Sequence, residues 1–522
     1  MKPIYSRAAV VLLLAVAGEA AADIPEQVRV DSGLLKGTTG ASPDVRLFAG
    51  IPFAAPPTGE NRWKEPQPVA HWDGVRDATA FAPRCMQGGG GPPREGAPPP
   101  PPTSEDCLYL NVWTTAPSAD AKQPVMVWIY GGGFTGGAGS EPRYGGENLA
   151  KKGAVVVTLN YRLGGFGFFA HPELSRESGR NASGNYGMMD ALAAFEWVQR
   201  NIKVFGGDPD NVTAFGESAG GILITALLAS PRADGLFDRV IAQSGAWTSP
   251  PGGTGLANTL ARAEEAGAAA AKELGAASLA DLRAKPADEI LRGLRSAGIV
   301  VDGYVLPEDP ARVFAAARQH KVDVLAGSNK DEGAFFQFGG PQTAERFTGT
   351  ASRRFGTHAN EFLGIYPAGS DEEANRSYLA SFSDEFAWQM RVLARSQVEV
   401  GASAYLYYFT RVPPAPPGRP SRGATHVAEV AYMFNNLLDG TPWTDADRAL
   451  AETMSSYWVN FARSGNPNGP GLPEWPEYSA DEAGNAMVLG DRVEPETILT
   501  PSATRLDFFD SAYARTLAGG TQ

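Results

Sequence analysis

One stretch limits what this chain can fold into more than any other: Asn211-Val-Thr-Ala-Phe-Gly-Glu-Ser-Ala-Gly-Gly221. Val212 to Phe215 reads as a short buried strand. Gly216-Glu217-Ser218-Ala219-Gly220 reads as a sharp turn, and a helix starting near Gly221 runs on through Leu228. So tight a turn has no room for a Cβ two residues before or after its apex, and glycine stands at both places. The apical serine is forced into a strained backbone with its hydroxyl raised above the sheet, the geometry of a nucleophile elbow. The bare G-x-S-x-G pattern is weak, because 61 glycines are spread over 522 residues and an ordinary glycine turn fits it too. An oxyanion hole, a base and an acid in the right chain order would decide between the two.

The flanking chain gives the elbow a sheet to sit on. Val28 to Gly37 alternates like a hairpin, and Val45 to Pro66 reads as loop with one strand. Leu108 to Trp113, Pro124 to Tyr130, Ala154 to Asn160, Val240 to Gln243, Val322 to Gly327 and Ala404 to Thr410 are short apolar runs of strand type. Between them lie helical patterns at Tyr186 to Ile202, over 258–300, at Ser377 to Val400 and at Asp445 to Arg463. Strands alternating with helices predict a largely parallel α/β sheet covered on both faces. No composition break marks a domain boundary, and the helix-rich region 258–400 is expected to form a cap over the carboxyl edge of the sheet.

The formal net charge of -13 argues against nucleic acid as a partner and against general attraction to anionic membranes. Residues 1–22 read as a signal peptide: Lys2 and Arg7, an apolar run from Ala8 to Ala17, and a cleavage site at Ala20-Ala21-Ala22. The run is too short to span a bilayer, so no stable membrane anchor is expected. The expectation is a protein of residues 23–522, secreted or periplasmic. In that compartment the only two cysteines, Cys85 and Cys107, read as one disulfide, with two buried thiols as the alternative. The segment 88–102 between them is Gly- and Pro-rich and reads as a surface loop tied at its base.

Attack by Ser218 on a carbonyl creates an oxyanion that pre-placed N–H groups must meet. Trp128-Ile-Tyr-Gly-Gly-Gly-Phe134 follows a strong strand and precedes the elbow, so Gly132 and Gly133, with Ala219, are the candidate donors; a flexible glycine turn is the alternative. Of five histidines, His71 and His171 precede the serine, against the order serine, acid, histidine. His320 and His358 read as surface residues. His426 sits in a loop after a strand, where such sites are built. Asp331 and Glu332, after the strand at 322–325, compete for the acid, and both could equally be solvated loop charges.

With these pieces in order, the chain resembles the type-B carboxylesterase/lipase family, which includes the cholinesterases. The resemblance covers nearly the whole chain past residue 22. It rests on Phe48 to Ala54 with Arg62, Ser104-Glu-Asp-Cys-Leu-Tyr-Leu-Asn-Val112, Asn160 to Leu163, Gly184 to Gly187, Phe205 to Pro209, Ser328-Asn-Lys-Asp-Glu-Gly333, Gly423 to His426, Phe461 to Pro467 and Trp475-Pro476. It implies the α/β-hydrolase fold, with a large mostly parallel sheet, helices on both faces and helical cap insertions. It implies a Ser218–Glu332–His426 triad, deciding for the glutamate over Asp331, an acyl-enzyme intermediate and no cofactor or metal. It also implies that Cys85–Cys107 closes a loop at the rim of the site, and that Arg62 pairs with Glu105 and Arg162 with Asp190. Glu217 is expected to line the substrate gorge. Trp247, Phe335 and Phe336 are candidates for the acyl pocket, with core packing as the alternative. The substrate is expected to be a small-molecule ester. The segment between the cysteines has no aromatic residue to stack on a quaternary ammonium, which argues against choline esters. An interfacial lipase, or a non-catalytic adhesion protein on the same fold, are the other readings. Oligomeric state is not legible.

Overall fold

The computed structural model describes residues 24–88, 102–248, 258–337, 339–418, 420–479, 485–497 and 503–518. The expected signal peptide, and the Pro/Gly loop between residues 89 and 101, lie outside them. The main sheet has eleven strands: β1 Thr38–Thr39, β2 Arg46–Pro52, β3 Tyr109–Thr114, β4 Gln123–Ile129, β5 Val155–Leu159, β6 Gly207–Glu217, β7 Arg239–Gln243, β8 Asp323–Asn329, β9 Ala404–Phe409, β10 Ala486–Leu489 and β11 Val493–Glu496. Their spatial order is β11-β10-β9-β8-β7-β6-β4-β5-β3-β2-β1. From β5 across to β10 every neighbouring pair is parallel. The flanks at β3, β2, β1 and β11 are antiparallel, so the sheet is mixed around a parallel centre.

Every residue of β5 is buried. A strand buried along its whole length must be covered on both faces, which is why its sequence is apolar but for Thr158, whose hydroxyl donates to the Gly139 carbonyl. The cover comes from α1 (Tyr186–Asn201) on β6, α2 (Ala219–Leu228) on β6 and β7, α3 (Asp371–Glu399) on β8 and β9, and α4 (Asp445–Ser464) on β4 and β6. The elbow helix starts at Ala219 rather than Gly221, directly after the serine. The glycine argument holds in atomic terms: a Cβ on Gly220 would stand 2.0 Å from the Ile129 carbonyl oxygen, and one on Gly216 would stand 2.7 Å from it. The turn can therefore press against β4 only with glycine at both places.

The helix-rich region departs from the expected picture in one respect. Residues 258–300 hold three short helices, Leu260–Glu273, Leu279–Ala284 and Ala287–Gly293. The long helix α3, by contrast, packs along β8 and β9. It begins six residues before the expected Ser377, because Ser370 caps it by accepting from the Glu373 N–H. The short strands β10 and β11, of which β11 is the edge, and the final helix Ala503–Ala518 carry no clear pattern in the sequence. β10 is four residues long, and β11 contains Pro495, which an edge strand tolerates and a central one does not.

Cys85 and Cys107 are bonded, with Cα atoms 4.9 Å apart. Both expected ion pairs form. Arg62 Nε donates to Glu105 Oε2 at 2.7 Å, and Arg162 reaches Asp190 through Nε at 2.8 Å and Nη2 at 2.7 Å. Among the described residues no helix is long and apolar enough to cross a membrane.

Candidate active site

β4, β6, β8 and β9 run parallel, so their carboxyl ends lie on one edge of the sheet. The loops that leave those ends carry Gly131 to Gly133, Ser218, Glu332 and His426 respectively. Four segments far apart in sequence are brought together by this alone.

Ser218 stands at φ 55° and ψ -124°, a strained conformation for a residue with a side chain. Its N–H is tied to the Gln243 carbonyl at 2.8 Å, and its side chain is partly exposed. Ala219 opens α2, so its N–H is one of the helix's unpaired first donors. A Cβ on Gly131 would stand 2.8 Å from the Ser218 Cβ, which places the glycine loop against the serine. Gly132 and Gly133 have φ 111° and 61°, are exposed, and donate to no acceptor among the described residues.

His426 is 1% exposed. Its Nδ1 lies 2.6 Å from Glu332 Oε2, and a carboxylate can only accept, so Nδ1 carries the proton. Glu332 is 0% exposed; its other oxygen accepts from Ser244 Oγ at 2.6 Å and from the Asn329 N–H at 2.8 Å. Three hydrogen bonds, two to Oε1 and one to Oε2, thus hold the carboxylate in place. His426 Nε2 has no hydrogen-bond partner among the described residues. Glu217 Oε1 lies 3.1 Å from it, but the two are not aligned for a hydrogen bond. Val427, the next residue, has φ 67°, a rare conformation for a β-branched side chain and a second point of strain beside the imidazole.

Three buried carboxyl groups surround this one imidazole: Glu332, Glu217 and Glu429. Burial raises Glu217 to about 8; His426 pulls it back down, while Glu429 and Glu332 add to the rise. Burial likewise raises Glu429, helped by Glu332 and opposed by the hydrogen bond from Asn329. For His426 burial acts downward, but Glu217, Glu332 and Glu429 together outweigh it and hold the ring above its ordinary 6.5. The Glu217 and His426 shifts share a cause. Protonating Glu217 removes one of the charges that favour imidazolium.

Asp331, the rival for the acid, does not face the imidazole. Its Oδ2 accepts from the Ala424 N–H at 2.7 Å, and its own N–H donates to the Ala424 carbonyl at 2.9 Å. It is a clasp on the loop that carries His426 rather than a solvated charge. Phe335 and Phe336 lie against the imidazole, with ring centroids 5.1 and 4.8 Å from it. Trp247 is buried, its backbone N–H donating to Thr225 Oγ1 on α2. His320 is not a surface residue: it is partly buried, with Nε2 2.7 Å from the Ser230 carbonyl. His358 is partly exposed beside Glu361. The sequence reading did not single out Ser244, Asn329 or Glu429. Glu429 accepts from Gln243 Nε2 at 3.0 Å and from Asn329 Nδ2 at 2.5 Å. The available signal was position, since Ser244 directly follows a strand and Glu429 stands three residues after His426.

Comparison with known proteins gives a consistent picture. The carboxylesterase family profile matches residues 25–509. Fumonisin B1 esterase of Sphingopyxis macrogoltabida is 40% identical over 497 residues, covering 90% of this chain and 88% of that protein. Para-nitrobenzyl esterase of Bacillus subtilis strain 168 is 36% identical, covering 90% of this chain and 96% of that one. Among solved structures, a PNB esterase superposes with a TM-score of 0.80 at 34% identity, over 94% of this chain and 99% of its own.

Proposed function

Because this chain belongs to the carboxylesterase family and is an esterase, we propose that it cleaves carboxylic esters with Ser218, His426 and Glu332 through an acyl-enzyme. His426 Nε2 takes the Ser218 proton as Oγ bonds to the ester carbon. The carbonyl oxygen becomes the oxyanion, met by the N–H groups of Gly132, Gly133 and Ala219. As the tetrahedral intermediate collapses, the bond to the alcohol oxygen breaks and His426 gives that oxygen its proton. Water, deprotonated by the same nitrogen, then releases the acid and restores Ser218. Glu332 fixes the ring tautomer and stabilises the imidazolium. The sequence balances without a metal or a cofactor.

The observation that carries this reading is the buried Glu332–His426 pair at 2.6 Å, whose free Nε2 belongs to the same sheet edge as a strained serine. The acyl chain is assigned to the side of Phe335 and Phe336. A phosphonate ester should add its mass to the peptide containing Ser218, and Ser218→Ala should abolish hydrolysis of p-nitrophenyl esters. Labelling at another residue, or an active Ser218→Ala protein, would refute the assignment. A chain-length series from acetate to palmitate separates an esterase of small substrates from a lipase. We also propose that residues 1–22 are removed on export and that residues 23–522 form one domain. Asp23 should be the first residue of the protein recovered outside the cytoplasm.

A further inference from the structure

Glu429 is a buried carboxylate that the proposed chemistry does not use. Its hydrogen-bond donors are Gln243 and Asn329, the last residues of β7 and β8. All three are 0% exposed. A charge at that depth carries a desolvation cost that an apolar side chain would not.

Both amides are oriented by what they touch. Gln243 Oε1 accepts from the Trp458 indole Nε1 at 3.1 Å, and an indole can only donate, so the NH2 end of Gln243 faces Glu429 Oε1, 3.0 Å away. Asn329 Nδ2 lies between two acceptors, the Thr425 carbonyl at 2.9 Å and Glu429 Oε2 at 2.5 Å. Both oxygens of Glu429 therefore face N–H donors, which suits the ionised form.

The same two residues hold catalytic groups by their backbones. The Gln243 carbonyl accepts the Ser218 N–H at 2.8 Å, and the Asn329 N–H donates to Glu332 Oε1 at 2.8 Å. Thr425, whose carbonyl Asn329 holds, directly precedes His426, and Glu429 follows it by three residues. One buried carboxylate thus joins the strand end that ties the nucleophile, the strand end that ties the acid and the loop that carries the base.

We propose that Gln243 and Asn329 are positioning residues, which act through Glu429 to keep Ser218, Glu332 and His426 in register; this rests on the catalytic reading above. The three groups come from separate strand ends, and a displacement of about 1 Å in one of them costs on the order of 10²-fold in rate.

An exchange of donor and acceptor tests the proposal. Gln243→Glu alone sets a carboxylate against Glu429, and Glu429→Gln alone sets one N–H donor against another. Together they restore both hydrogen bonds with the roles exchanged, and Trp458 keeps its acceptor. A phosphonate counts the competent Ser218 in each protein, so kcat is read per labelled site. Each single substitution should lower kcat about tenfold with KM unchanged, and the pair should return it to within about threefold of wild type. Asn329→Ser keeps the N–H that Glu332 needs and removes the amide, so it should lower kcat in the same way whether or not the exchanged pair folds. A merely structural contact would lower the thermal midpoint or the number of labelled sites and leave kcat per site alone. Wild-type kcat per labelled site in the single variants, or an exchanged pair that labels fully yet stays as slow as they are, would overturn the positioning. Failure of the phosphonate to label Ser218 in the wild-type protein would instead overturn the catalytic reading.

Discussion

Asp331 and Glu332 are adjacent carboxylates that the fold gives different partners. Glu332 faces the imidazole through Oε2 with Oε1 held by Ser244 and Asn329, whereas Asp331 clasps Ala424. Glu332→Gln should lower kcat by about 10²–10⁴-fold, because imidazolium loses its charged partner. Asp331→Asn should lose far less, since the amide oxygen can still accept from the Ala424 N–H. Steady-state kinetics on a p-nitrophenyl ester decides, and the reverse ranking would mean the acid is Asp331. Glu217 gives a prediction in pH. Unfolded, it releases its proton near 4.5; folded, burial holds the proton up to about 8. Between those values the folded chain binds a proton that the unfolded chain has lost, so this group makes stability fall as pH rises. Glu217→Gln should flatten that fall in urea midpoints measured from pH 5 to 8. It should also move the acid limb of the kcat/KM profile to lower pH, because His426 loses a neighbour that favours its cation. A limb that stays in place would show that Glu217 does not act on the imidazole.

At the level of elements, the site is a strand, a turn and a helix pressed against β4, with loops from β4, β8 and β9 closing around it. The disulfide belongs to this scale, because it closes a loop of 21 residues rather than touching the chemistry. In the chain-entropy account such a closure stabilises by about 3 kcal/mol. Cys85→Ser with Cys107→Ser should lower the thermal midpoint and raise KM more than it lowers kcat, most of all for bulky esters. Peptide mapping without reductant should recover residues 85 and 107 in one linked fragment, and two free thiols would contradict the bond.

Across the whole molecule, two buried ion pairs tie distant parts together. Arg62, paired with Glu105, also donates to the carbonyls of Leu282, Arg283 and Lys285, joining the N-terminal segment to a short helix more than 200 residues on. Arg162 and Asp190, 3% and 0% exposed, join the chain after β5 to the second turn of α1. Arg162 Nη1 already lacks a partner among the described residues. Asp190→Asn would leave a buried guanidinium with no opposite charge, at a cost of about 3–5 kcal/mol. A urea midpoint unchanged by that substitution would show that the pair is not a structural tie.

Local chemistry made the elbow, the glycine loop and the parallel core strands legible in the sequence. Gly216 and Gly220 are dictated by atoms within one turn and one neighbouring strand, and a short β-branched run such as β5 reads as a strand covered on both sides. The choice of Glu332 over Asp331 was not local. It came from resemblance, and the residues by themselves left it open, because which of two adjacent carboxylates faces His426 depends on the path of a loop 94 positions further along. The same holds for Ser244 and Glu429, whose partners sit on or just after other strands. Sequence determines what a few consecutive residues can do; which distant side chains meet, and with what charge around them, is decided when strands far apart in the chain pair side by side.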